Sequence, residues 1–192
     1  QQNTIGAGMD MFYNIENIRG SNENDTLNGS AYANALVGQL GNDFMVGNGG
    51  NDTLYAGVGN DTLFGGTGND VYQFNLGDNQ DTLTDNDATA GNSDVLAFQS
   101  GVLNNQLWFT QTGNDLLVSI IGTSDKVTIK SWYASNSNVV ESITAGGKML
   151  DSSNVNALVS AMSAFSAPPM GQTTLSNTYQ TALNSAIAAN WI

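Results

Sequence analysis

The sequence predicts a mainly β chain: a right-handed parallel β-roll of stacked nonapeptides, continued by a β-rich region and closed by C-terminal helices. Three observations predict it. A nine-residue clock runs through residues 20–73. Segments rich in β-branched and aromatic residues fill residues 94–150. Two apolar stripes at helical spacing lie beyond residue 152. The division that follows is residues 1–19 as an N-terminal cap or linker strand, 20–87 as the roll, 88–151 as the β-rich domain and 152–192 as the helical segment.

The clock is read first because a repeat decides the architecture. Cut from Gly20, the chain reads GSNENDTLN, GSAYANALV, GQLGNDFMV, GNGGNDTLY, AGVGNDTLF and GGTGNDVYQ, six units without a gap. Position six is Asp25, Asn34, Asp43, Asp52, Asp61 and Asp70. Position eight is Leu27, Leu36, Met45, Leu54, Leu63 and Tyr72. Position one is Gly except at Ala56, and position four is Gly in the last four units. A preceding half-unit, MFYNIENIR, puts Ile18 in the same apolar register. Gly at positions one and four is expected to permit positive φ and a tight turn. The last three residues of each unit suit a very short strand, with position eight pointing inward. Two units make one coil, so equivalent turns recur every 18 residues and the apolar side chains pile into a thin core.

Charge follows the clock. Residues 1–95 hold 13 Asp or Glu against Arg19, whereas residues 96–192 hold four against Lys126, Lys130 and Lys148. Such a field repels nucleic acid and attracts cations. A solvated acidic surface would give the same composition, and Asn-Asp alone would serve as turn chemistry. Neither requires a nine-residue spacing over six units. Calcium takes six to eight hard oxygen ligands at flexible geometry. Glycine-rich turns offer carbonyls, position six offers carboxylates, and Asp43 with Asp61, like Asp52 with Asp70, lie 18 apart.

The pattern is that of G-G-x-G-x-D-x-U-x, a calcium-binding repeat. Residues 20–73 resemble the RTX, or haemolysin-type, repeats of bacterial secreted proteins. The resemblance implies that carbonyls of positions two and four and the Asp of one turn share an ion with carbonyls of positions one and three and the Asp 18 residues on. One site would then use Gln39, Gly41, Asp43, Ala56, Val58 and Asp61; the next, Asn48, Gly50, Asp52, Gly65, Thr67 and Asp70. The same scheme brings in Ser21, Glu23 and Asp25 with Gly38 and Leu40, Gly47 and Gly49 above the second unit, and Gly57, Gly59, Gly66 and Gly68 higher up. Units one and two depart from the pattern at Ser21, Glu23, Tyr32 and Asn34. FNLGDNQDTLTDND resembles the usual exit from such a stack, where Asp78 or Asp81 would complete a last site. About three to five calcium ions are expected.

Beyond the stack, DVLAF, QLWFTQ, LLVSII, KVTIKSWY and VVESIT read as strands, with turns at Gly113-Asn114-Asp115, Gly122 to Asp125 and Gly146-Gly147. The run from NDLLVSII to AGGKML resembles the haemolysin-type calcium-binding related domain. Trp108, Trp132 and Tyr133 are read as core or cap residues rather than a carbohydrate platform. Residues 153–166 carry a stripe of Val155, Leu158, Val159, Met162 and Phe165, ended by Pro168-Pro169. Residues 175–191 carry Leu175, Tyr179, Leu183, Ile187 and Trp191, four apart. These helices either dock on the β body or, by resemblance, serve as an uncleaved type I secretion signal; the two roles are compatible.

There is no Cys and no His, so disulfides, thiolate sites and imidazole chemistry are excluded. No catalytic constellation and no G-x-S-x-G element is present, and the chain is read as non-enzymatic. No run reaches membrane-spanning length. Because the chain begins at Gln1 without a signal-peptide pattern, it is expected to be the C-terminal part of something longer, or a processed product. The functional expectation is a calcium-dependent folding and export module of a secreted or cell-surface bacterial protein of adhesin or surface-layer type. The alternatives are the tail of an exoenzyme, such as a lipase, protease or polysaccharide-active enzyme, or of a cytolytic toxin. Expected partners are calcium and a type I exporter, with no nucleic acid and no membrane span; self-association and surface polysaccharide stay open.

Overall fold

The computed structural model describes residues 2–3, 16–99 and 101–192. The start of the predicted half-unit, residues 11–15, and most of the predicted 1–19 cap lie outside them. Each nonapeptide ends in a strand, and successive strands alternate between two sheets. The first sheet takes β1 (Gln2–Asn3), β2 (Asn17–Arg19), β4 (Ala35–Leu40), β6 (Thr53–Val58) and β8 (Val71–Phe74). The second takes β3 (Thr26–Asn28), β5 (Phe44–Gly49), β7 (Thr62–Thr67) and β9 (Gln80–Thr84). All neighbours among these pair in parallel. This is a β-roll, as the clock requires.

The core is the stack of position-eight side chains. Ile18, Leu36, Leu54 and Tyr72 stand opposite one another in one sheet, and Leu27, Met45, Leu63 and Leu83 in the other. All are buried. Burial alternates along each strand as the pleat demands. From β4 to β7 the strands are longer than the three residues expected. They run through position nine into position three of the next unit, because the Gly-rich backbone stays extended enough to keep pairing with the coil above.

Both sheets run on past residue 87. β10 (Val95–Phe98) and β14 (Ser142–Ala145) extend the first sheet in parallel, and β15 (Lys148–Asp151) closes it antiparallel. β13 (Lys126–Ile129) joins β9 in parallel, followed by antiparallel β12 (Asp115–Ile120) and β11 (Leu107–Thr112). The strand expected from KVTIKSWY stops at Ile129, because Ser131 takes a left-handed φ of 57° and turns the chain. Trp132 is buried beyond that turn.

α1 (Ser152–Met162) starts on Asp151, whose carboxylate accepts the Ser153 N–H at 2.8 Å. It ends earlier than the apolar stripe: Phe165 leaves the helix path to pack on Tyr179, ring centroids 4.9 Å apart. α2 (Asn177–Asn190) is capped by Ser176 and packs on α1. After it the backbone of Ile192 exchanges two hydrogen bonds with Met149, so the last residues pair with β15. Trp108 and Trp132 are buried, and Trp108 is covered by Tyr179. Neither ring is presented as a flat exposed platform.

Candidate metal centre

The turns between strands are stitched from coil to coil by the Asn-Asp doublet. The position-five amide accepts a backbone N–H from the coil above: Asn42 N–H to Asn24 Oδ1, Asn60 to Asn42, Asn69 to Asn51, at 2.7–2.9 Å. The position-six carboxylate accepts one from the coil below. Asp25 N–H donates to Asp43 Oδ1, Asn34 to Asp52, Asp43 to Asp61 and Asp52 to Asp70, at 2.7–2.8 Å. Each Asp is thus held by one oxygen. Its other oxygen, Oδ2, is buried without a hydrogen-bond partner in Asp43, Asp52, Asp61 and Asp70. Orphaned buried carboxylate oxygens are costly, and two on each of the two turn columns ask for a cation.

The glycines shape the space around those oxygens, with a division of labour that differs from expectation. Positive φ falls on positions two and four, at Gln39 (91°), Asn48 (78°), Gly57 (95°), Gly66 (108°), Gly41 (113°), Gly50 (96°) and Gly68 (125°). Position one has no such φ; it is glycine for room. A Cβ on Gly38 would lie 2.2 Å from Asp43 Oδ2 and 2.4 Å from the Ala56 carbonyl oxygen. On Gly47 it would lie 2.3 Å from Asp52 Oδ2 and 2.4 Å from the Gly65 oxygen. Each cradle therefore joins a free carboxylate oxygen to the position-one carbonyl of the next coil. The Gln39 and Gly41 oxygens, and those of Asn48 and Gly50, lie hard against Gly57, Gly59, Gly66 and Gly68 of the coil above. Within each proposed set, Val58 and Thr67 stand at position three of the upper turn; the Val58 oxygen accepts the Gly41 N–H. A hard, oxygen-only donor set of carboxylates and carbonyls fits calcium.

The lower turns are different. Asp25 Oδ2 is taken by the Ser21 N–H at 2.6 Å and the Ser21 hydroxyl at 3.0 Å, and Asn34 Oδ1 by the Ser30 N–H at 2.6 Å. These turns close on themselves through a serine. Glu23 contributes its backbone, packed against Gly41. The Gln39 amide bonds the Gly20 carbonyl, and the Asn48 amide bonds the Gly29 carbonyl at 2.9 Å. Leu40 is exposed and Gly49 faces Thr67 Oγ1. At the top, Asp81 takes the position-six role, accepting the Asp61 N–H at 3.0 Å. Asp78 instead caps its own turn through the Asn75 N–H at 2.7 Å, while its charge acts on Asp61 and Asp81.

Besides Asp81, three further rungs of this ladder lie outside the nonapeptides. Asp94 Oδ1 accepts the Asp70 N–H at 2.7 Å, and Glu141 Oε2 accepts the Asp94 N–H at 2.7 Å. Asp125 accepts from Gly77 at 2.7 Å. Each precedes a strand added in parallel, which is the only signal they share with position six. Burial dominates the electrostatics. It raises the carboxyl pKa of Asp43 and Asp61 to about 6 and of Asp52 to about 7, with like charges across the step adding to the rise. Asp78 is raised to about 6, Asp94 to about 7 and Asp81 to about 8, again chiefly by burial.

Comparison with known proteins agrees with this geometry. Residues 19–54, 37–72 and 46–83 match the RTX calcium-binding nonapeptide repeat. This is an RTX calcium-binding repeat chain. Residues 115–153, which hold β12 to β15, match the haemolysin-type calcium binding protein related domain. The RTX chain is 35% identical over 93 residues to the iron-regulated protein FrpA of Neisseria meningitidis serogroup C, covering 46% of this chain and 8% of that protein. It thus spans under a tenth of that relative's length. Among solved structures, it matches the extracellular lipase LipA from Serratia marcescens at a TM-score of 0.40 and 24% identity, covering 57% of this chain and 17% of LipA. Among the described residues, no helix is long and apolar enough to cross a membrane.

Proposed function

We propose that this RTX chain is the calcium-dependent folding and export module of a larger secreted or cell-surface bacterial protein of adhesin or surface-layer type, and that it has no catalysis of its own. The observation that carries the calcium step is the set of orphaned Asp Oδ2 atoms along the two turn columns; those of Asp43, Asp52 and Asp70 each face a cradle that a Cβ would fill. Asp43 with Gln39, Gly41, Ala56, Val58 and Asp61, and Asp52 with Asn48, Gly50, Gly65, Thr67 and Asp70, are the sets that would hold ions. About three to five sites fit the columns at the affinity of extracellular modules. Bound calcium would supply positive charge between facing carboxylates. Without it those carboxylates repel, and the thin stack has little else to hold it. Binding energy then becomes folding energy, so the chain folds where calcium is abundant and stays loose where it is scarce.

The test is a calcium titration followed by circular dichroism. Asp52→Ala and Asp61→Ala should raise the calcium concentration needed for folding well above that of Asp115→Ala or Asp151→Ala. Asp115 is paired with Lys130 at 2.5 Å and Asp151 caps α1, both away from the turns. Equal effects in all four variants would remove the assignment.

A further inference from the structure

The roll's exit departs from the glycine turns in a way that builds a different kind of site. The register Thr62↔Thr82, Leu63↔Leu83 and Phe64↔Thr84 sets Asp85 opposite Gly65, where lower coils have the next position-one glycine. Asp85 is fully buried and its Oδ2 has no hydrogen-bond partner. The Gly65 N–H would be expected to meet a position-nine carbonyl, as Gly20 meets Val37 and Gly29 meets Val46. It donates instead to the Tyr72 hydroxyl at 3.0 Å, and that hydroxyl donates to Asp85 Oδ1 at 3.2 Å. A Cβ on Gly65 would lie 2.2 Å from both Asp70 Oδ2 and Tyr72 Oη. A phenol therefore stands where lower cradles have a position-one carbonyl. Asp94 completes the group: carboxylate oxygens of Asp70, Asp85 and Asp94 lie within 4.8 Å of one another, and all three residues are buried. Asp94 is oriented by Asn92 Nδ2 at 3.0 Å and by the Asp70 N–H.

We propose that Asp70, Asp85 and Asp94, with the Tyr72 hydroxyl beside them, form a further site for one hard divalent cation of the calcium class, sharing Asp70 with the glycine turn below, and that it binds more tightly than the glycine turns. Two of its carboxylates, Asp70 and Asp85, each carry an orphaned buried oxygen, and the three carboxyl groups bring ligand atoms within 4.8 Å of one another. The ion pair formed by Lys130 lies elsewhere, on Asp115. The affinity follows from ligand charge and rigidity, the two quantities that tune calcium sites. A glycine turn offers two carboxylates and neutral carbonyls. The exit offers three carboxylates, with Asp85 held by a phenol that is itself wedged in the core. Tyr72 occupies a position-eight place in the apolar stack and is 1% exposed, so its hydroxyl is placed by packing. It is a positioning residue here, fixing Asp85. The comparison of affinities rests on the reading of the glycine turns as calcium sites; the exit site itself does not.

The test uses the full chain and calcium alone, with bound ions counted by equilibrium dialysis across a range of free calcium. Asp85→Asn should remove one ion, and the one lost should be the first to fill. Asp52→Asn should remove an ion from the later class and keep the first. Tyr72→Phe keeps the core volume and should weaken the first-filling ion on the order of 10–100-fold, the usual effect of removing a group that orients a ligand. An unchanged count in Asp85→Asn alone would overturn the exit site, leaving the trio as carboxyls sharing protons, while the glycine turns stand. Unchanged counts in both Asn variants would overturn the calcium reading of the turns as well. If Asp85→Asn does not fold, Tyr72→Phe decides: an unaltered first-filling ion overturns the proposal.

Discussion

Gly47 has an ordinary φ, yet it has no room for a methyl group. Its virtual Cβ falls 2.3 Å from Asp52 Oδ2 and 2.4 Å from the Gly65 oxygen, closer than carbon and oxygen can approach. Gly47→Ala should therefore remove one ion from the calcium count while leaving the backbone turn intact. Equilibrium dialysis checks this, and a full count would show that the cradle is not the binding space. Ala56 is the exception at position one, in the unit whose upper coil is the irregular exit. Position eight was legible at this scale because an apolar residue every ninth place has one explanation in a roll, and Leu54 is fully buried as expected. The need for Gly at position one was legible, but its reason was not: a positive φ and a steric cradle leave the same letter in the sequence. The role of the Asn at position five was hidden likewise, since turn chemistry and coil-to-coil stitching both favour asparagine.

Strands and helices show where legibility stops. The clock is a statement about equal spacing, so it finds steps of 18 residues. The later coils step by 20 from Asp61 to Asp81, by 24 from Asp70 to Asp94 and by 47 from Asp94 to Glu141. Excursions between parallel strands have no fixed length, so the same rung recurs without any periodic trace. Helix ends were blurred for a different reason: Phe165 continues the stripe of α1 in sequence but packs on Tyr179 of α2. Docking of that segment has a consequence. Leu183 and Ile187 are buried, Trp191 is 2% exposed, and Ile192 pairs with Met149. Removing residues 168–192 uncovers the end of a stack that needs capping. Thermal melting in saturating calcium should fall by several degrees, with the ion count per chain unchanged. The export role of the same segment is a separate proposal. Fusing residues 150–192 to an unrelated, slowly folding passenger should carry it through a matching type I exporter; a passenger retained in the cell would leave capping as the segment's only function.

For the whole molecule the governing quantity is how many carboxyls the fold buries along one axis. Asp43, Asp52, Asp61, Asp78, Asp81 and Asp94 have folded pKa values of about 6 to 8, against an ordinary value near 3.8, with burial as the first cause. Asp85 belongs with them at about 8, raised by burial and then by the charge of Asp94. The sign follows directly. A raised carboxyl pKa means that the folded chain without calcium binds more protons than the unfolded chain between pH 4 and 8. Its stabilising contribution is complete below about pH 4 and is lost as pH rises through 6 to 8. With calcium the direction reverses, because the ligand carboxyls must be deprotonated, and ions displace protons. Affinity should then rise across the same window. Melting followed by circular dichroism at pH 5, 6, 7 and 8 separates the two regimes. In chelator the midpoint should fall with each step; in saturating calcium it should climb. Parallel slopes in the two series would mean that the buried column neither takes up protons nor exchanges them for the metal. The link from sequence clock to calcium-dependent folding would then have to be rebuilt on the carbonyl ligands alone.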